Sequence, residues 1–247
     1  QLQKKGQAPR REHFMLKPSS LKEIFAILGS FFQYLIQEEY CTSNPVALVR
    51  QKSQFLQRQQ KNRIRRLSDN QWQALLENTR HLADTCPEIH ERTLFMLSAL
   101  YGMYLRISEL VGTDRWVPLM NDFYQDHHSR WWFRTIGKGN KERSIAVSDA
   151  MLLALKRWRL YLGLSSLPSP ADQSPILPKR RGTGPITSTT YLREQLQLCF
   201  DSAVDYLKSK GQPEEAEALW DVTVHWLRHT GISDDVQHRP REHVRDD

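Results

Sequence analysis

Apolar residues in this chain recur at helical spacing along most of its length, but across residues 131–147 the period shortens to that of a strand. Trp131-Trp132-Phe133-Arg134-Thr135-Ile136 and Ser144-Ile145-Ala146-Val147 are rich in strand formers. The Gly137-Lys138-Gly139-Asn140-Lys141 segment between them has the composition of a turn. A β-hairpin with a basic tip, set among helices, makes the fold class mainly α with a small antiparallel β-hairpin or sheet (α+β).

The helical segments divide into two groups. Leu21 to Glu39 reads as a helix, with Ile24, Ile27, Leu28, Phe31 and Leu35 on one face. Asn44-Pro45 then breaks the chain. One helix cannot bury such a face by itself, so residues 1–49 read as part of a helical domain. Residues 50–66 are basic and Gln-rich and read as a linker. A second unit, 67–247, opens at Leu67, where Ser68-Asp69-Asn70-Gln71 forms a capping box. Helical patterns follow over about 88–100, from Ser148 through Leu162, over 188–208 and from Thr223 onward. Residues 163–187, rich in Pro, Ser and Gly, read as a long surface loop.

The net charge of +7 is unevenly spread. Residues 1–66 hold 13 Lys/Arg and 4 Asp/Glu, or +9; residues 67–247 hold 22 and 24, or −2. Arg50, Lys52, Arg58, Lys61, Arg63, Arg65 and Arg66 crowd into one stretch without an acid. Such a run suits a polyanion, DNA above all, or else a solvated linker. The three cysteines are scattered and include no C-x-x-C, which argues against a disulfide framework. No apolar run is long enough to span a bilayer. A cytoplasmic protein without membrane partners is expected.

Four local features carry possible chemistry. Arg106 sits inside the apolar run Leu105 to Leu110, where a guanidinium is costly unless an anion meets it. Glu109, three residues on, can hold it. Glycines flank Lys138 and leave it free to reach a phosphate; no Walker A sequence is present. His225 and Arg228 share a helix face near a helix start, a place suited to a phosphate. Lys179-Arg180-Arg181 forms a basic cluster in the long loop. Each feature alone has a plain structural explanation: an Arg–Glu pair, a basic turn, a weak H-x-x-R, a solvated patch. His225 and His229 have the spacing of zinc ligands, but the Glu of H-E-x-x-H is missing, and no metal is expected.

Together and in this order, the features resemble the tyrosine recombinase (phage-integrase) family. Leu105-Arg106-Ile107-Ser108-Glu109-Leu110 is similar to its first-arginine motif. Gly137 to Arg143 is similar to its hairpin lysine motif, and His225-Trp226-Leu227-Arg228-His229-Thr230 to its His-x-x-Arg box. Arg66-Leu67-Ser68 is similar to the usual entry into the catalytic domain. The resemblance covers 66–247 well and 18–50 loosely, as part of a core-binding domain. It implies site-specific DNA recombination or integration, as in mobile elements, through a 3′-phosphotyrosine intermediate and without a cofactor. Arg106 and Arg228 would hold the scissile phosphate, Lys138 would be the general acid, and His225 would bond the phosphate or help move a proton. Glu109 would orient Arg106. Arg50, Lys52, Arg58, Lys61, Arg63, Arg65, Arg66, Lys141, Arg143, Lys179, Arg180 and Arg181 are the expected DNA contacts. The implied partners are duplex DNA with inverted half-sites and further copies of the chain, a homodimer per site and a homotetramer per synapse. A nucleoid-associated location follows if the source is bacterial. The family's nucleophilic tyrosine is not found after His225, so the 247-residue chain alone is expected to bind DNA without cleaving it. The alternative is a non-catalytic DNA-binding or regulatory protein on the same fold.

Overall fold

The computed structural model describes residues 16, 18–52, 65–137 and 139–238, and the chain divides into two compact units, Gln1–Arg63 and Ile64–Asp247. In the first, α1 (Pro18–Gln37) is followed by α2 (Pro45–Lys52). Helix α1 starts and stops slightly earlier than its apolar pattern suggests. Asn44 organises the turn between the helices. Its side-chain N–H donates to the Gly29 carbonyl (3.0 Å), and its Oδ1 accepts the Val46 N–H (3.1 Å). Ile24, Ile27, Leu28 and Phe31 of α1 remain exposed.

The first helix of the second unit carries the cap that its sequence signals. Helix α3 (Asp69–Thr85) starts with a complete capping box. Ser68 Oγ accepts the Gln71 N–H (3.1 Å), and Gln71 Oε1 accepts the Ser68 N–H (3.0 Å). Helix α4 (Pro87–Gly102) has proline in its first turn, where the missing N–H costs nothing. It is the central element, with Thr93 to Leu97 all buried, and it packs against α3, α5 and α8. Strands β1 (Phe123–Gln125), β2 (Trp131–Ile136) and β3 (Glu142–Ala146) form one antiparallel sheet in that order. The register pairs Phe133 with both Phe123 and Ile145. Helix α5 (Asp149–Tyr161) is capped by Ser148, as its sequence predicts. Helices α6 (Thr189–Ser209), α7 (Pro213–Leu219) and α8 (Val224–His238) complete the unit.

Phe95 stacks on Trp158 at 5.5 Å at the centre of the core. Fully burying a side chain such as Phe95 contributes about 1.5–3 kcal/mol. Residues 163–187 depart from the expected surface loop, because Ile176 and Leu177 are completely buried. Two polar anchors hold them in place. The Trp158 indole N–H donates to the Ile176 carbonyl (2.8 Å), and the buried Arg159 pairs with Asp172 (2.7 Å) and donates to the Ser165 carbonyl (2.8 Å). Composition misled here because the segment's polar residues surround a short apolar insert.

Helix α8 is fixed along its length. Thr230 Oγ1, buried, accepts the Leu67 N–H (2.9 Å) and donates to the Trp226 carbonyl (2.8 Å). The Tyr101 hydroxyl donates to Asp234 Oδ2 (2.8 Å). Gly231 lies so close to α4 that an ideal Cβ there would overlap the Tyr101 carbonyl oxygen.

Candidate active site

The site is assembled where α4 ends. Past Gly102 the chain turns sharply, with Tyr104 in the left-handed region at φ 52°. Arg106 is back in extended conformation and leads a 3₁₀ turn, Ile107–Glu109. The Glu109 carboxylate, 3% exposed, points back into this turn. Its Oε2 accepts the Arg106 backbone N–H (2.7 Å) and Arg143 Nη2 (2.8 Å), and its Oε1 accepts Arg106 Nη1 (3.2 Å). One buried carboxylate therefore orders a backbone N–H and two guanidiniums. An α-helical turn between Arg106 and Glu109 is not needed for the pairing the sequence suggests.

The hairpin closes over this pair. An ideal Cβ on Gly137 would lie 3.3 Å from Glu109 Oε1 and 3.7 Å from Arg106 Nη1, so a glycine lets the strand end settle on them. The Gly137 N–H donates to the Lys141 carbonyl (2.8 Å). Gly139 and Asn140 take the left-handed conformations of a tight turn. Lys138, the residue expected to carry the chemistry of this tip, lies outside the described residues.

His225 and Arg228 come from the start of α8. Arg228 Nη1 donates to the Tyr104 carbonyl, tying the helix to the strained turn. His225 shares with Arg106 a pocket of about 460 Å³, together with Leu105, Ile107, Arg193, Gln197, Thr223 and Val224. Its ring meets that of His229 edge-on at 5.0 Å. The field is positive. Burial, then Arg106 and Arg143, push the Arg228 guanidinium below its ordinary value, and Glu109 opposes them. Such a pocket stabilises an anion that can take hydrogen bonds from several guanidinium forks. Among the described residues no three His, Cys, Asp or Glu side chains gather into a metal site.

Burial also lowers the His225 pKa below 6.5, reinforced by His229, Arg228, Arg106 and Arg65. The imidazole is therefore neutral at pH 7 and can accept a proton. The unfolded chain protonates this side chain near pH 6.5 while the folded one resists, so its contribution to stability is lost as pH falls through 6.5. We expect an NMR titration midpoint for His225 below 6.5 that rises in His229→Gln. A midpoint at or above 6.5 in the unsubstituted chain contradicts this electrostatic picture.

Arg106, Glu109, Arg143, His225 and Arg228 thus come together, and Arg65 is near enough to act on His225. Arg143 is bound to Glu109, with its side chain 32% exposed. Period-two alternation in β3 could have shown this, since Arg143 and Ile145 share the less exposed face. Lys141 is exposed and Arg66 half-buried. Lys179, Arg180 and Arg181 are elsewhere: Arg180 donates to the Ile89 carbonyl (3.1 Å) in the first turn of α4. That is the opposite end of a 16-residue helix, about 24 Å from its C-terminus. Arg50 and Lys52 belong to α2, while Arg58, Lys61 and Arg63 lie outside the described residues.

No family model matches the chain. It is similar to the tyrosine recombinase XerD of Rickettsia conorii, 28% identical over 149 residues, which cover 60% of this chain and 46% of that protein. It is also similar to the tyrosine recombinase XerC of Actinobacillus pleuropneumoniae, 30% identical over 155 residues, covering 63% and 44%. Both are tyrosine recombinases, and the chain is similar to them over about three fifths of its length. It spans less than half the length of these two recombinases. Its fold is similar to that of a solved structure, the Tn1549 transposon integrase in complex with circular intermediate DNA. The TM-score is 0.56 at 18% identity, over 91% of this chain and 69% of that one. As in the sequence reading, the recombinase fold is mainly helical with a small antiparallel sheet.

Proposed function

We propose that this chain is the DNA-handling body of a site-specific recombinase that cleaves and rejoins strands through a 3′-phosphotyrosine intermediate. One observation carries the reading. Arg106 and His225 line a single positive pocket, with Glu109 fixing Arg106 and Gly137 laying the hairpin against both.

In this reading Arg106 and Arg228 bind the non-bridging oxygens of the scissile phosphate. Their charge opposes the negative charge that builds as the nucleophile's oxygen adds to phosphorus. His225, neutral at pH 7, bonds the phosphate or accepts the nucleophile's proton. As the phosphotyrosine bond forms, the bond to the 5′ oxygen breaks, and Lys138 protonates that leaving oxygen. The bond energy stays in the covalent intermediate, so strand joining needs no cofactor. Glu109 positions Arg106 and Arg143. No tyrosine follows His225 in these 247 residues, so no nucleophile is assigned within them.

Residues 1–49 act as part of a core-binding domain, the basic stretch 50–66 tracks the DNA backbone, and 67–247 hold the phosphate. Inverted half-sites, a dimer per site, a tetramer per synapse and a cytoplasmic, DNA-associated location complete the proposal.

The test has two arms. The 247-residue chain is expected to bind duplex DNA with an affinity that falls steeply between 50 and 200 mM salt, about 10³-fold or more for six or more phosphate contacts. The native-length protein, given a nicked suicide site, is expected to form a denaturation-resistant protein–DNA adduct. Absence of any adduct on a site the protein demonstrably binds rejects the enzyme and leaves a DNA-binding protein on the same fold.

A further inference from the structure

The pocket shared by Arg106 and His225 has a third wall. Arg193 and Gln197, one turn apart on α6, line it. Their helix buries Leu192, Leu196 and Phe200 in the core, which leaves Arg193 and Gln197 exposed beside the pocket. Arg193 differs from the other arginine of this pocket. Arg106 is engaged by the buried Glu109 carboxylate. Arg193 donates only to Thr189 Oγ1 (3.2 Å), and among the described residues it forms no ion pair with a carboxylate. Gln197 is a neutral side chain that donates to Asp201, on the next turn of its own helix (2.9 Å).

An exposed arginine is ordinarily solvated. Here it faces a cavity that already concentrates positive charge, and none of the residues described as lining that cavity is acidic. We propose that Arg193 is a backbone-phosphate ligand of the DNA duplex. It grips a phosphate beside the one held by Arg106, with Gln197 as an uncharged hydrogen-bonding partner one turn along. The proposal rests on the recombinase reading of this pocket and adds a positioning contact to it. Such a contact fixes the register of the duplex without reading its sequence.

The experiment measures binding of the 247-residue chain to several 30-base-pair duplexes of unrelated sequence across 50–200 mM salt. Arg193→Gln is expected to lower affinity about tenfold at the low end. The loss is the same for every duplex, and the slope of log affinity against log salt becomes shallower by about 0.9. Arg193→Lys keeps the slope, and Gln197→Ala weakens binding without changing it. Arg193 is exposed, so an unchanged unfolding midpoint confirms that the variant is folded. An unchanged slope in Arg193→Gln overturns the phosphate contact, as does a loss confined to one sequence, which marks a base contact. If the unsubstituted chain shows no salt-dependent DNA binding, the recombinase reading fails and this proposal fails with it.

Discussion

Replacing Glu109 with alanine is expected to lower the unfolding midpoint by about 4–12 °C. Removing one partner of a buried ion pair costs about 3–5 kcal/mol when the orphaned charge stays buried. Here the orphans are Arg106 and Arg143, whose side chains are 37% and 32% exposed, so water recovers part of the loss. A net cost of about 2–3 kcal/mol is left, and in a unit of this size each kcal/mol moves the midpoint by about 2–4 °C. The Arg106 backbone N–H also loses its acceptor. Glu109→Gln keeps the volume and one carbonyl acceptor, so it should cost about half as much. Under the proposed function, phosphate binding is expected to weaken as well, since Arg106 loses the partner that aims it. A Glu109→Ala chain that melts within 1 °C of the unsubstituted one defeats the argument.

The second large effect is expected at Gly231, where two tendencies oppose each other. Glycine in a helix interior costs about 1 kcal/mol relative to alanine, so propensity alone predicts that Gly231→Ala stabilises. Packing predicts the reverse. The added Cβ overlaps the Tyr101 carbonyl oxygen and comes within 3.0 Å of two Tyr104 ring carbons. The first of these atoms is backbone in the last turn of α4, and Tyr104 is already held at positive φ. Neither neighbour yields cheaply, and overpacking of this kind costs about 1–3 kcal/mol. Packing wins, and Gly231→Val should be worse. Because α8 carries His225 and Arg228, its displacement should also weaken DNA binding. Urea unfolding followed by binding measurements decides the matter, and a Gly231→Ala chain more stable than its parent would falsify the close approach.

What was legible in the sequence is what depends on near neighbours. The Ser68–Gln71 capping box, the Ser148 cap and the 131–146 hairpin all rest on bonds within a few residues, and all three are present. The order of the Arg106, hairpin and His225–Arg228 segments was legible for the same reason: each is a short local motif. Strand β1 was not legible, because three residues show no period and it pairs only once β2 is in place. Helix α7 is seven residues long and is held from outside, where Ser68 Oγ donates to Glu215 and Gln71 Nε2 to the Glu215 carbonyl. The burial of Ile176 and Leu177 depends on Trp158, eighteen residues before Ile176. Arg193 and Gln197 carry no motif at all, and only the placement of α6 beside Arg106 gives them meaning.

The bond from Leu67 to Thr230 ties together two points 163 residues apart in sequence. Leu67 lies just inside the second unit, next to the basic stretch in sequence, and Thr230 sits two residues after Arg228 on the helix that carries His225. Mechanically, the entry point and this helix are one piece. The start of the second unit is bonded directly to the helix that carries His225, in addition to the packing of Leu67 in the core, so the unit has its anchor and its working edge in the same place.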